Sequence, residues 1–124
     1  MARNDEVYHW SGALRDEAGR YTIVQRGFVN PATSGNTLAV AGVAGSKIRV
    51  LSAMAIAGAA VAVKFQSNVT DISAVFPLAQ NGGFVMPRNQ DGWMDTLVGD
   101  PLNVNLSITA PVGVQFTYVV IPVP

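Results

Sequence analysis

Apolar residues in this chain recur at every second position far more readily than at helical spacing, and the pattern predicts strands. The clearest case is residues 103–109 (NVNLSIT), where polar and apolar residues alternate throughout. That alternation predicts a half-buried strand with Val104, Leu106 and Ile108 facing inward. Beyond the Ala110-Pro111-Val112-Gly113 turn, Val114, Phe116, Tyr118 and Val120 alternate with Gln115, Thr117 and Val119. Pro122 and Pro124 then deny the last strand an extension, because proline has no amide hydrogen to donate to a ladder. Upstream, residues 21–29 are rich in β-branched and aromatic side chains, with Gly27 a candidate bulge or bend. Further short strands are expected over residues 37–43, 70–76 and 84–86. Turn formers separate them, of which Asn81-Gly82-Gly83 is the strongest, since Asn and Gly accept positive φ at little cost.

The stretch that decides the fold is residues 47–66, KIRVLSAMAIAGAAVAVKFQ. Fourteen uncharged residues lie between Arg49 and Lys64. As a helix rising about 1.5 Å per residue, they reach only about two-thirds of the way across ~30 Å of hydrocarbon. A buried helix is disfavoured by Val50, Ile56, Val61, Val63 and the central Gly58. Unbroken alternation instead places Ile48, Val50, Met54 and Ile56 on one face, and Arg49, Leu51, Ala53 and Ala55 on the other. After a turn at Ala57-Gly58-Ala59, Val61, Val63 and Phe65 lie opposite Ala60, Ala62 and Lys64. Residues 47–66 are therefore expected to form a hairpin. Its outward face would carry Ala53, Ala55, Ala60 and Ala62, small and apolar where a monomer would be polar. Such a face needs a cover, and self-association or a neighbouring protein is the expected one.

Eight or nine short strands at intervals near ten residues predict an all-β fold. The expected architecture is an antiparallel β-sandwich, jelly-roll or Ig-like, of about eight strands over residues 21–124. The 124 residues suffice for one domain. Charged residues make up 13%, about half the usual share, and the net charge is zero. Little surface is thus marked for solvent, and no electrostatic footprint for nucleic acid or an anionic membrane is present. Half of the sixteen charges fall within residues 1–26. Residues 1–20 read as an N-terminal arm with Tyr8, Trp10, Leu14 and Arg15 as candidate partner contacts, and a short helix is possible over residues 13–18. The first ten residues, MARNDEVYHW, lack the apolar run of a secretory leader, so synthesis and retention in the cytoplasm are expected.

Chemistry is sparse. The chain has no cysteine, and its one histidine, His9, lies in the arm, without the fixed pocket a triad needs. Asp71, Asp91, Asp95 and Asp100 invite a metal hypothesis, but residues 89–95 lack the ligand spacing and closing glutamate of a calcium loop. Turn formation explains them better. Glycosidase chemistry needs two carboxylates facing each other, and the sequence does not show that Asp91 and Asp95 do so. No metal, cofactor or catalytic residue is expected. Phe84, Trp93 and Tyr118 could form a sugar-stacking platform, against the alternative that they fill the core.

The segments KIRVLSA, VKFQS, LAQNGGFVMPRNQDGWMDT, GDPLNVNLS and VQFTYVV, taken in order, resemble a group of small proteins encoded among tailed-phage structural genes. Such proteins are similar to capsid decoration, or cement, proteins. The resemblance implies a β-sandwich on the capsid exterior of the virion, bound to the major capsid protein and bracing contacts between its subunits. It also implies a homo-oligomer, with a trimer at a local three-fold axis favoured, and no catalytic residues. In that setting Tyr8 and Trp10 would be the first arm residues to reach a neighbour. The other reading is a glycan-binding module of a phage fibre or tail, using Phe84 or Trp93.

Overall fold

The computed structural model describes the backbone of residues 13–15 and 21–124, and side chains from Ile23 onward. The described residues form strands and loops with no helix. In chain order the strands are β1 (Ala13–Arg15), β2 (Tyr21–Ile23), β3 (Gln25–Val29), β4 (Gly35–Val40), β5 (Ser46–Ala57) and β6 (Val61–Ser67). There follow β7 (Thr70–Asp71), β8 (Phe76–Leu78), β9 (Gly83–Met86), β10 (Met94–Asp95), β11 (Leu102–Leu106) and β12 (Val112–Pro122). All pairings are antiparallel.

Two five-stranded sheets face each other. In the first, β5 and β12 form the centre, β3 flanks β12, and β9 and β10 share the other side of β5. In the second the order is β4-β11-β6, with β7 and β8 sharing the far side of β6. The expected sandwich is therefore present as two antiparallel sheets. A separate hairpin pairs β1 with β2. Residues 13–15 are thus strand where a helix was possible; residues 16–18 lie outside the described residues.

The long stretch at residues 47–66 makes two strands, but not a hairpin. β5 belongs to the first sheet and β6 to the second, and the turn between them crosses from one layer to the other. At the crossing the Gly58 amide donates to the Pro111 carbonyl at 2.7 Å, and the Ala57 amide to the Gly82 carbonyl at 2.8 Å. The partner of β5 is β12, and the partner of β6 is β11.

Alternation along β5 is also interrupted. Thr117 pairs with Ser52 and Tyr118 with Val50, so Leu51 is an extra residue with no counterpart. Such a bulge shifts the phase by one, and every later side chain changes face. Ile48 and Val50 point into the sandwich before it, and Ala53, Ala55 and Ala57 after it, all buried. Met54 and Ile56, expected inside, are exposed. The loop after β9 follows the bulge: the Asn89 amide donates to the Leu51 carbonyl at 2.9 Å, and the Trp93 amide to the Val50 carbonyl at 2.8 Å.

The alanines suit the interior because large side chains flank them. Within the first sheet, Phe116 stands between Gly27 of β3 and Ala53 of β5, and Phe84 stands beside Ala55. Gly27 sits in regular pairing and is not a bulge. A β-carbon there would lie 2.7 Å from the Phe116 ring, so the ring takes the place of a side chain. Across the layer, β6 contributes Val61, Val63 and Phe65, and β11 contributes Leu102, Val104 and Leu106, all buried. β11 ends at Leu106, which leaves Ile108, expected inward, exposed in the following turn. The expected strand over residues 70–76 is reduced to β7 and β8. β8 pairs only with β6, so its Pro77 sits on an edge, where a missing amide costs little.

Candidate interaction face

The outer faces of the two sheets differ in chemistry. On the second sheet the outward positions of β4, β11 and β6 form a largely polar, hydrogen-bonded surface, with Leu38 exposed among them. Asn105 Nδ2 donates to Asn36 Oδ1 at 2.7 Å, and Asn103 Nδ2 to the Asn68 carbonyl at 2.9 Å. Gln66 Nε2 and Lys64 Nζ both reach Asp71, at 2.7 and 3.0 Å. These bonds hold the Asp71 carboxyl below its usual range, the Gln66 amide contributing most and Lys64 next.

The first sheet is divided. At one end of its outer face Leu51, Val119 and Ile121 form a small buried cluster, with Val24 packed on it. Beside this cluster Asp95 receives Arg49 Nε at 2.8 Å and Arg49 Nη2 at 2.9 Å, and lies 3.1 Å from Lys47 Nζ. Burial alone would raise the Asp95 pKa. The hydrogen bonds and positive charges of Arg49 and Lys47 outweigh it and hold the carboxyl below its usual range.

Because the folded pKa of Asp95 is depressed, its contribution to stability is full above the unfolded value of about 3.9. That contribution is lost as pH falls through the folded value. Asp95→Asn is therefore expected to be less stable than wild type at neutral pH. Urea unfolding followed across pH should show the gap closing as the medium becomes acid; a gap that widens with acid contradicts the assignment.

The other end of this face is open and apolar. Strand register places Phe28, Gln115, Met54 and Val85 in one row across β3, β12, β5 and β9. Ile56 stands in the next row between Gly113 and Gly83. Phe28 is 74% exposed, Val85 70%, Ile56 57% and Met54 43%, values that belong to a surface and not to a core rim. An open depression of about 280 Å³ lies beside this row between Phe28 and Ile56. A second, of about 270 Å³, runs from Arg26 past Met54 to Val85 and Pro87. Between the two ends Ser52 Oγ and Thr117 Oγ1 share a hydrogen bond of 2.6 Å.

Ala53, Ala55, Ala60 and Ala62 do not form a common face, which corrects the expectation from alternation. Ala53 and Ala55 are buried between the sheets, Ala60 is exposed in the crossing turn, and Ala62 is half-buried on the outer side of the second sheet. The Leu51 bulge and the placing of β5 and β6 in different sheets separate them. They offer no joint surface to a second subunit. The face that alternation assigned to the core, Met54 and Ile56, is the one left uncovered. Its signal in the sequence was size: the larger apolar residues of residues 53–57 are Met54 and Ile56, and neither fits beside Phe116 or Phe84.

Of the arm residues, Tyr8, His9 and Trp10 lie outside the described residues, and Leu14 and Arg15 are placed only as backbone in β1. Phe84, Trp93 and Tyr118 do not form a platform. Phe84 packs inward, 4.6 Å from the Phe76 ring and edge-on to Phe65. Tyr118 lies against Phe116 and donates to Gln25. Trp93 is exposed in its loop and gives its indole hydrogen to the Pro87 carbonyl at 2.7 Å. Among the aspartates Asp100 accepts from Ser67 at 2.8 Å, and the Asp91 amide donates to Asn89 Oδ1 in a tight turn. Among the described residues no three acidic or histidine side chains gather to hold a metal.

The chain matches no family model and no curated protein.

Proposed function

We propose that this chain is a structural virion protein of the capsid decoration, or cement, kind. In this reading it binds the outer surface of a tailed-phage head and braces contacts between major capsid subunits, with no catalytic chemistry. The observation that carries the reading is the inequality of the two outer faces: one largely polar and internally hydrogen-bonded, the other with one half open and exposing Phe28, Met54, Ile56 and Val85.

The strand order supports a jelly-roll form of the sandwich. Early strands pair with late ones, β3 with β12 and β4 with β11, so the chain is rolled on itself as in two nested Greek keys. Double-sheet rolls of this kind recur in viral capsid and lectin domains. The lectin reading draws less support here. Phe84 is packed against other rings, and among the described residues Trp93 makes no ring contact with a second aromatic.

Energetics favour a repeated assembly. Covering the exposed part of these four apolar side chains, about 60% of each on average, contributes on the order of 4–7 kcal/mol. Association costs about 4–15 kcal/mol in lost freedom. One face alone thus holds weakly, and many copies on a lattice hold well through multivalency. Purified protein added to capsids that lack it should co-sediment with them and saturate. Binding to a sugar array with no capsid affinity would sink the proposal.

A further inference from the structure

The open half of the first sheet's outer face carries one charge, and no described residue balances it. Its outward positions are read from the register: Arg26 and Phe28 on β3, Thr117 and Gln115 on β12, Ser52 and Met54 on β5, and Val85 on β9. No acidic residue stands among them. Arg26 lines the same depression as Met54 and Val85 and has no acidic partner among the described residues. Among the described aspartates, Asp95 is engaged with Arg49 and Lys47, Asp71 with Lys64 and Gln66, and Asp100 with Ser67, while Asp91 lies in the turn after β9, outside these outward positions.

We infer that this half-face receives an apolar surface segment of a different protein, one that presents a carboxylate to Arg26. The inference rests on the capsid reading and names the chemistry of the surface on which the protein sits. Two arguments select this occupant. A two-fold contact between copies brings the same patch against itself. That would cover two Arg26 side chains while the described outward positions supply no acid to either, and a covered charge without a counter-charge is costly. A partner carboxylate removes that cost. The planar guanidinium can hold it with two hydrogen bonds, which also fixes orientation on the apolar row. The largely polar face of the second sheet is the weaker candidate, because its amides and charges already bond one another.

The test uses capsids lacking this protein and four variants of the full chain: Arg26→Leu, Arg26→Glu, Met54→Glu and Leu38→Glu. Leu38 is exposed on the outer face of the second sheet and serves as the control. Circular dichroism first establishes that each variant is folded. Expected are at least tenfold weaker capsid binding for Met54→Glu and Arg26→Glu, weaker binding for Arg26→Leu, and none of this for Leu38→Glu. Wild-type binding should also fall as salt rises.

Arg26→Leu binding as well as or better than wild type shows a purely apolar contact and overturns the inference, with the capsid reading intact. Loss of binding only in Leu38→Glu places the contact on the other sheet and overturns it in the same way. A concentration-dependent dimer in light scattering, abolished by Met54→Glu, makes the occupant a second copy and also overturns it. No binding by wild type removes the capsid reading, and this inference with it.

Discussion

Ala55→Glu is expected to unfold the domain, whereas Met54→Glu, one residue earlier, leaves it folded. Ala55 is 1% exposed, between Val114 of β12 and Phe84 of β9 and facing the second sheet. A glutamate there has no cation to pair with and no water to meet. The uncompensated charge costs about 3–5 kcal/mol, and forcing extra volume into a filled core adds about 1–3 kcal/mol. Domains of this size have total stabilities of about 5–15 kcal/mol. The variant is therefore expected at the edge of unfolding or beyond it. Met54 points the other way, so a glutamate there meets solvent and changes stability by about 0.5 kcal/mol or less. Urea titrations followed by circular dichroism measure both. The reverse order, with Met54→Glu the more damaging, would show that alternation continues unbroken through Leu51.

Phe65→Ala is expected to cost about 3–5 kcal/mol. Phe65 is completely buried on β6, with its ring 6.4 Å from that of Phe84 in an edge-on contact. Phe84 in turn leans on Phe76, so the three rings close one side of the core between β6, β8 and β9. Removing the buried Phe65 ring leaves a cavity that rigid strands cannot collapse to fill. For a domain near this size the loss corresponds to roughly 10–20 °C in Tm. Phe28→Ala removes an equally large ring from the open face, where it is mostly solvated, and is expected to change Tm by no more than a few degrees. Thermal melts of the two variants separate core from surface. Equal losses in both would mean that Phe28 is covered in the folded chain.

The two-sheet β architecture is legible in the sequence because it follows from local pattern. Strand runs such as Leu102–Leu106 and Val112–Pro122 carry their alternation and their turn residues with them. Three features were not legible. The Leu51 bulge leaves no local mark, because both phases of residues 47–57 place apolar residues inward. The choice between them is made by Phe116 and Phe84, which arrive from strands far along the chain and leave room only for alanine. The pairing of β5 with β12 and β6 with β11 is likewise non-local, while a turn at Gly58 serves a hairpin and a crossing between sheets equally well. The candidate face was missed for the same reason. Phe28, Met54 and Val85 come from three strands, and only the register aligns them. Arg26 is informative only in its row, where no described acidic residue stands beside it.

Cysteine accessibility along β5 tests the central claim most directly, because the chain has no cysteine of its own. Single cysteines at Ala53, Met54, Ala55 and Ile56 can each be exposed to a thiol reagent under native conditions. The structure predicts rapid labelling at positions 54 and 56, and protection at 53 and 55 until denaturant is added. Protection at 54 and 56 with rapid labelling at 53 and 55 would contradict it, returning the alanines to the surface and the open apolar face to the core.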